Sequence, residues 1–239
     1  MSISLAELPS AYTGGSDENL YSQICLLPQP EPLSLKLYLP SSLRRRAVES
    51  FIFRQFRLKH GASIRHFMPY LISLEEMRGG VLSAAGFRPA CENRLFLEKY
   101  LDIPVEKAIS LHTSEQIERL SVIEVGNLAS DCPGSSRLLI MAMTYLFNQQ
   151  GFEWVTMTGT NDLINIFRNL QLNIFFLGRA DAKRLANEQN DWGRYYTHNP
   201  QVMAGSISDG HHQLSKSAHY LTFISSLHTF NLPPCSNSG

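Results

Sequence analysis

The 239-residue chain has few cysteines and no long apolar run. Its four cysteines include no pair spaced as CxxC, which excludes a disulfide-rich scaffold and favours a reducing compartment. The most apolar stretch, residues 138–147, is about half as long as a membrane-spanning helix. No basic segment followed by an apolar run opens the chain, so a secretory signal peptide is not predicted. We therefore expect a cytoplasmic protein without a transmembrane segment.

The chain also lacks an excess of charge of either sign. Lysine plus arginine and aspartate plus glutamate each number 21, so the formal net charge is zero. This balance excludes a general attraction to nucleic acid, and no motif that reads nucleic acid is present. The Gly-x-Ser-x-Gly elbow of hydrolases is absent, and the histidines after residue 210 have no zinc-site spacing. We predict no nucleic-acid partner and no metal site.

The chain does contain enough apolar sequence for one sizeable core. Of its residues, 44% are hydrophobic and 10% are aromatic, a composition typical of a folded domain. Apolar spacings predict an α/β domain over residues 32–210, with an irregular arm at 1–31 and a surface tail at 211–239. The predicted strands cover 33–39, 64–74, 81–87, 121–129, 152–157, 172–177 and 192–203, and the predicted helices cover 43–59, 92–101, 105–110, 137–150, 161–170 and 180–187.

The most informative unit is a strand, a loop of small residues and a buried helix between residues 121 and 150. A second strand, a helix and a third strand follow, and this β-α-β-α-β order predicts parallel pairs with right-handed crossovers. Before the helix, unpaired N–H groups and the positive end of the helix dipole favour an anion, such as a pyrophosphate or phosphopantetheine arm. The alternative is a helix that is capped without a ligand. The residues of this candidate cradle are Gly134, Ser135, Ser136 and Arg137.

This order of elements resembles the N-acetyltransferase-like fold, a three-layer α-β-α acyl-CoA N-acyltransferase architecture around a central twisted mixed sheet. The pyrophosphate loop of that fold matches here at Asp131, Gly134 and Ser136. Asp131 stands where the fold has glutamine or arginine, and Phe167 stands where many such enzymes have a tyrosine general acid. The resemblance implies acyl-CoA or acyl carrier protein as the donor substrate and no permanently bound cofactor.

Two further segments resemble one branch of this fold, the acyl-homoserine-lactone synthases and long-chain N-acyl amino acid synthases. Gly86-Phe-Arg88-Pro is similar to their Gly-x-Arg segment, and Ile123-Glu124-Val-Gly-Asn127 is similar to the strand that carries their glutamate. The resemblance implies that Glu124 is the general base and that Arg88 holds the acceptor carboxylate. Because Asn127 stands where the synthases usually have arginine, lactone synthesis from S-adenosylmethionine is not implied.

Six segments carry a resemblance that extends over most of the chain, from about Phe51 to Gly210. Together they are similar to the thermostable hemolysin family of marine gamma-proteobacteria. The family name implies lysis of red cells, whereas the resemblance in fold implies acyl transfer. The segments are Lys59–Ala62, Phe67–Pro69, Ala84–Arg88, Leu95–Asp102, Glu124–Ala129 and Trp192–Tyr196.

These resemblances predict an N-acyltransferase that moves a fatty acyl group from acyl carrier protein or coenzyme A to a small amine or amino acid. Backbone N–H groups of the splayed fourth strand would stabilise the oxyanion. Two alternatives stay open: Glu124 as a strand carboxylate paired with a buried arginine, and Glu98 as an ordinary exposed helix residue. The candidate catalytic residues are Glu124, Arg88 and Glu98.

A local basic segment offers a docking surface for an acidic acyl carrier protein, with a solvated helix face as the alternative. Between positions 44 and 66, seven basic residues accompany a single carboxylate, Glu49. Two other functions stay open: a hemolysin that acts directly on membranes, and a module that binds acyl thioesters without catalysis. The arginines assigned to docking are Arg44, Arg45, Arg46, Arg54 and Arg57.

Overall fold

The computed structural model of the chain describes residues 33–227. The predicted arm, 1–31, and residues 228–239 of the predicted tail lie outside the described residues. The strands are β1 (Leu33–Tyr38), β2 (Tyr70–Glu76), β3 (Val81–Pro89), β4 (Val122–Ser130), β5 (Trp154–Gly159), β6 (Phe175–Arg179) and β7 (Gln201–Ser206). The α-helices are α1 (Arg45–His60), α2 (Val105–Thr113), α3 (Pro133–Gln149), α4 (Asn161–Asn169), α5 (Ile207–Leu214) and α6 (Ala218–Ser226).

The strands form one mixed sheet in the order β1-β2-β3-β4-β5-β7-β6. β4 and β5 are parallel and are connected by α3, whereas every other neighbouring pair is antiparallel. The predicted unit of strand, helix and parallel strand is therefore confirmed for β4, α3 and β5. The expected second parallel pair is wrong, because β7 lies between β5 and β6 and runs antiparallel to both.

Helices cover both faces of the sheet. On one face, α3, α5 and α6 pack over Ile72 and Ile123. On the other face, α1 packs over Leu71, and α2 packs over Val122. Neighbouring residues of a strand take part in different layers because successive side chains point to opposite faces. The predicted three-layer α/β fold is confirmed.

The helix α3 begins four residues earlier than predicted, at Pro133. Proline suits the first turn of a helix because its φ is already helical and its missing N–H has no helical partner there. The candidate cradle, Gly134 to Arg137, therefore lies in the first turn and not in a preceding loop. Gly151, with a φ of +80°, follows the helix in the left-handed conformation, as its position predicts.

Two predicted helices are 3-10 segments. The helix predicted at 92–101 is one turn, Leu97–Lys99. The helix predicted at 180–187 is a longer segment, Ala182–Trp192, that is interrupted at Ala186. Apolar residues of both segments are buried in the same core cluster. Tertiary burial, and not a regular helical period, explains their apolar spacing.

Two predicted strands differ most in where they begin. The strand predicted at 64–74 begins at Tyr70, and the strand predicted at 192–203 begins at Gln201. The tail is not a surface segment up to residue 227, because Tyr220 is 1% exposed and α6 packs in the main core.

Arg45 does not belong to the predicted docking surface. Its side chain is buried, and its guanidinium donates hydrogen bonds to the carbonyl oxygens of Met68 and Pro69 at 2.7 and 2.6 Å. It also pairs with Glu49 one helical turn away. Arg45 therefore ties α1 to the segment before β2. The exposed arginines of the predicted surface are Arg44, Arg46, Arg54 and Arg57, and docking of a carrier protein stays a prediction.

Within residues 33–227, no helix is long and apolar enough to cross a membrane. Cys132 has a free thiol and is exposed, whereas Cys91 is disulfide-bonded. The cytoplasmic location stays a prediction.

Candidate functional site

β4 diverges from its parallel partner partway along its length. Its pairing with β5 ends at Val125 opposite Met157, while its pairing with β3 continues to Ser130 through a bulge. In the bulge, Asn127 has a φ of +54°, and its side-chain oxygen accepts a hydrogen bond from the N–H of Met68 at 3.0 Å. The two strands therefore open a gap in the sheet.

Two glycines allow the Met68 side chain to lie across this bulge. A Cβ at Gly86 would lie 2.5 Å from the Met68 Cβ, and a Cβ at Gly126 would lie 2.7 Å from its Cε. Both distances are too short for real contacts. The glycine of the Gly-x-Arg segment is therefore required by packing against Met68.

A cavity of about 630 Å³ passes through the gap between β4 and β5. Its volume lies in the range of sites that bind small molecules. We call the wall on the α3 side the apolar half; it includes Ile140, Met143, Phe147, Phe167, Ile174 and Ile207. We call the wall on the α1 side the polar half; it includes His60, Arg88, Tyr100, Glu124, Trp192 and Tyr195.

Glu124 lies in β4, two residues before the bulge glycine, Gly126, and is 2% exposed. Its carboxylate oxygens accept hydrogen bonds from the backbone N–H groups of Phe96 and Leu97 at 2.9 and 2.8 Å. Burial raises the pKa of Glu124 to about 7, although the two N–H donors and the charge of Arg88 lower it. The carboxyl group can therefore take up and release a proton near neutral pH. Within residues 33–227 no ion pair joins Glu124 to a buried arginine, so the alternative of a strand carboxylate paired with a buried arginine is not supported.

Arg88 lies opposite Glu124 in the register of β3 and β4 and lines the same cavity. Its guanidinium donates a hydrogen bond to the carbonyl oxygen of Arg94 at 3.0 Å. Because a guanidinium carries five N–H donors, Arg88 keeps the capacity to bind a carboxylate. The structure therefore brings together the predicted base and the predicted acceptor anchor.

Glu98, the third predicted catalytic residue, is not among the residues that line the cavity. It accepts two hydrogen bonds from Arg119, at 2.7 and 3.0 Å, and one each from the N–H groups of Leu95 and Val105. Burial acts to raise the pKa of Glu98, but these donors outweigh burial and lower the pKa. At 4% exposure it is not an exposed helix residue either. Its contacts hold the Leu97–Lys99 turn against α2.

The candidate cradle lies beside the cavity at the N-terminus of α3. Ser136 lines the cavity, whereas Gly134, Ser135 and Arg137 are not among its lining residues. The hydroxyl of Ser135 donates to the carbonyl oxygen of Cys132 at 2.8 Å and is therefore used within the turn. The Nε of Arg137 is buried without a hydrogen-bond partner in residues 33–227. Binding of a donor phosphate by this turn stays a prediction.

His60 completes the polar half, although its residue type and spacing predicted no role. It ends α1, is 7% exposed, and packs edge-on against Tyr195 with 5.2 Å between ring centroids. Burial lowers the pKa of His60 to about 4, and the positive charges of Lys59 and His198 act in the same direction. The imidazole is therefore neutral at pH 7.

Aromatic side chains form the rest of this wall. Tyr100 and Tyr196 share a hydrogen bond between their hydroxyl groups, and Trp192 packs against Phe96. Burial raises the pKa of Tyr100, so its hydroxyl stays protonated. The sequence indicated these residues only by their position. They lie in two of the segments that carry the family resemblance, Leu95–Asp102 and Trp192–Tyr196. Within the described chain, no group of three or more histidine, cysteine or carboxylate side chains is arranged to hold a metal ion.

A family of known sequences matches most of the chain. The model of the family described as thermostable hemolysin matches residues 38–211, a range that contains all the cavity-lining residues. No curated protein matches the sequence.

Several solved structures share the fold at low sequence identity. BjaI, a CoA-dependent acyl-homoserine lactone synthase with SAM and isopentyl-CoA, is 11% identical over 86% of this chain and 96% of its own, with a TM-score of 0.53. FeeM, an N-acyl amino acid synthase from uncultured soil microbes, is 11% identical over 76% and 93%, with a TM-score of 0.53. TofI in an apo form is 10% identical over 78% and 98%, with a TM-score of 0.51. The chain therefore has the fold of these proteins.

Proposed function

The chain belongs to the thermostable hemolysin family, and we propose that it is an N-acyltransferase that moves an acyl group from a thioester to an amine. The observation that carries the proposal is Glu124, a buried carboxyl group with a pKa of about 7 in the wall of a cavity with an apolar half and a polar half. A proton acceptor in such a cavity suits a reaction that joins a fatty chain to a polar amine. The similar structures of FeeM and BjaI belong to synthases of N-acyl compounds, which supports the same class of reaction.

In the proposed reaction, the amine nitrogen attacks the carbonyl carbon of the thioester. The C–N bond forms, the C–S bond breaks, and the proton that the amine loses to Glu124 ends on the leaving thiolate. Beyond Val125, β4 is no longer paired with β5, so its backbone borders the cavity and offers N–H groups to the oxyanion. Glu124 therefore accepts the proton of the amine and then returns it to the thiolate, and no covalent intermediate is needed.

The apolar half of the cavity would bind the acyl chain of the donor. Ser136 lies at its edge, where the first turn of α3 offers N–H groups to a donor phosphate. Asp131 is exposed at the same edge and opposes an anion there. A carrier-bound donor would meet instead the exposed arginines of α1 and the residue before it: Arg44, Arg46, Arg54 and Arg57.

The polar half would bind the amine acceptor. Arg88 and Glu124 face each other in the register of β3 and β4, so a carboxylate held by Arg88 would place a neighbouring amine beside Glu124. We therefore propose an amino acid or a similar small amine as the acceptor.

The test is turnover by the purified protein with acyl-CoA or acyl carrier protein of increasing chain length and a mixture of amino acids and amines. Mass spectrometry identifies the amide, and thiol release gives the rate. We expect Glu124→Gln to lower turnover by about a hundredfold or more. Glu115→Gln, an exposed carboxylate outside the cavity, serves as the matched control and should keep full turnover. Equal turnover by both variants would refute the role of Glu124.

The same proteins separate the two alternative functions. Lysis of red cells by lipid-free protein that survives both Glu124→Gln and removal of the donor would indicate direct action on membranes. Binding of an acyl thioester without turnover in the presence of any acceptor would indicate a binding module.

A further inference from the structure

Two buried polar atoms in the cavity wall lack hydrogen-bond partners within residues 33–227: the Nδ1 of His60 and the Oγ1 of Thr158. Buried polar atoms in folded proteins are nearly always paired with protein or with ordered water. Leaving such an atom unpaired costs its desolvation free energy. Each of the two residues therefore has an unused hydrogen-bonding capacity at the cavity wall.

Tyr195 contacts both residues. The ring of Tyr195 packs edge-on against the imidazole of His60 at 5.2 Å. Its hydroxyl donates a hydrogen bond to the backbone carbonyl oxygen of Thr158 at 3.2 Å. The C-terminal end of α1 and the C-terminal end of β5 therefore meet at this point of the cavity.

This point lies close to the proposed base. Glu124 is opposite Thr156 in the parallel pairing of β4 and β5, and Thr158 follows two residues later. Residues two apart in a strand share one face, so Thr158 lies on the same face as Glu124. From a strand spacing of about 4.8 Å and a rise of about 3.3 Å per residue, the two Cα atoms lie about 8 Å apart. An acceptor whose amine lies beside Glu124 can therefore contact Thr158 with a group that is a few bonds from the amine.

The charges around His60 disfavour a cationic group. The ammonium of Lys59 is paired with Asp162 at 2.8 Å, and the positive charge of Arg194 acts on His60 as well. A neutral imidazole and a hydroxyl group together offer both donors and acceptors. A hydroxyl or a carboxamide, each of which donates and accepts, matches both atoms.

We propose that His60 and Thr158 form a specificity subsite that binds a hydroxyl or carboxamide group of the amine acceptor. The inference rests on the proposed function and narrows the acceptor class: amines with a neutral hydrogen-bonding group are preferred over simple alkylamines. Sites that hydrogen-bond a substrate hydroxyl discriminate strongly against the analogue that lacks it, because their own polar groups are then left unpaired.

The test uses two product analogues and needs no turnover. N-dodecanoyl-3-aminopropanol and N-dodecanoyl-butylamine differ by a terminal hydroxyl in place of a methyl group, and neither carries a carboxylate for Arg88. We expect calorimetric titration to show binding of the hydroxyl analogue about tenfold tighter. Thr158→Val and His60→Phe should each reduce that preference to about twofold or less. Thr113→Val, at the end of α2 and outside the cavity, should retain it.

Thermal unfolding without ligand supplies the second readout. Replacing an unpaired buried hydroxyl by a methyl group of similar shape should leave the Tm of Thr158→Val unchanged or raise it. A lower Tm with a retained preference would assign Thr158 a structural role and overturn the proposal. Equal binding of the two analogues to the unmodified protein would show that water alone fills the subsite, leaving the proposed function intact. Binding of neither analogue would overturn the subsite, whereas the turnover test decides the proposed function.

Discussion

Glu98 and Glu124 are almost equally buried, at 4% and 2% exposure, yet their pKa values shift in opposite directions. Each accepts hydrogen bonds from two backbone N–H groups. Glu98 also receives two hydrogen bonds from Arg119, whereas the charge of Arg88 acts on Glu124 without a hydrogen bond. At equal burial, direct contact with a cation therefore decides the direction of the shift.

The same difference separates a structural carboxylate, Glu98, from the proposed base, Glu124. Glu98 stays ionised and holds its turn against α2, away from the cavity. Glu124 exchanges its proton near neutral pH and lies in the cavity wall. A pKa close to the working pH at a cavity wall is the property that a general base needs.

The largest expected effect is a loss of stability when Arg119, the cation that pairs with Glu98, is removed. Arg119→Leu leaves a buried carboxylate without its counter-charge, and we expect the free energy of unfolding to fall by about 3 to 5 kcal/mol. Urea denaturation at pH 7 measures the change. Glu106→Gln is the comparison, because it removes the second carboxylate of Arg119 and leaves the pair with Glu98 intact. Equal losses in the two variants would contradict a special dependence of Glu98 on Arg119.

The next effect in size is a change of the unfolding free energy with pH. The pKa of Glu124 is about 7 in the folded chain and 4.5 ordinarily, so the folded state binds more protons between these values. Its contribution to stability is present below pH 4.5 and is lost as pH rises through 7, a change of about 3 kcal/mol. Urea denaturation of the unmodified protein and Glu124→Gln at pH 5 and pH 8 should show this difference.

The difference in unfolding free energy between the unmodified protein and Glu124→Gln separates the contribution of Glu124 from those of other groups that titrate in that range. His60, whose pKa is lowered to about 4, contributes with the opposite sign, since its stabilisation is lost as pH falls from 6.5. That contribution is the same in both proteins and cancels. Parallel pH dependences would mean that Glu124 titrates at an ordinary pKa.

Local patterns in the sequence were sufficient to predict the elements that carry Glu124. The strand around it is rich in β-branched residues, and the following helix has an apolar face that ends before Gly151. The same patterns could not distinguish Glu98 from Glu124, because the distinguishing partner is Arg119, which the fold brings back from 21 residues later. Similar apolar spacing also predicted a helix where Leu97–Lys99 forms one 3-10 turn.

The polar half of the cavity was beyond sequence reasoning for a related reason. His60, Thr158 and Tyr195 come from a helix end, a strand end and a 3-10 turn that are far apart in the chain. No single spacing relates them, and their role depends on which buried atoms lack partners in the folded state. Of these three residues, only His60 and Tyr195 lie in segments that carry the family resemblance.

The smallest expected effect concerns Arg88. It tests whether a positive charge near Glu124 that forms no hydrogen bond with it still lowers its pKa. Arg88→Leu removes a charge that lowers the pKa of Glu124 without a hydrogen bond, so this pKa should rise further. Because Arg88 is half-exposed, the change in unfolding free energy should stay below about 1 kcal/mol. Carbon NMR of the Glu124 carboxyl against pH measures the shift, and Arg88→Lys, which keeps the charge, should leave most of the pKa lowering in place. If both variants left the pKa unchanged, the charge of Arg88 would not reach Glu124, and its place beside the base would serve the acceptor alone.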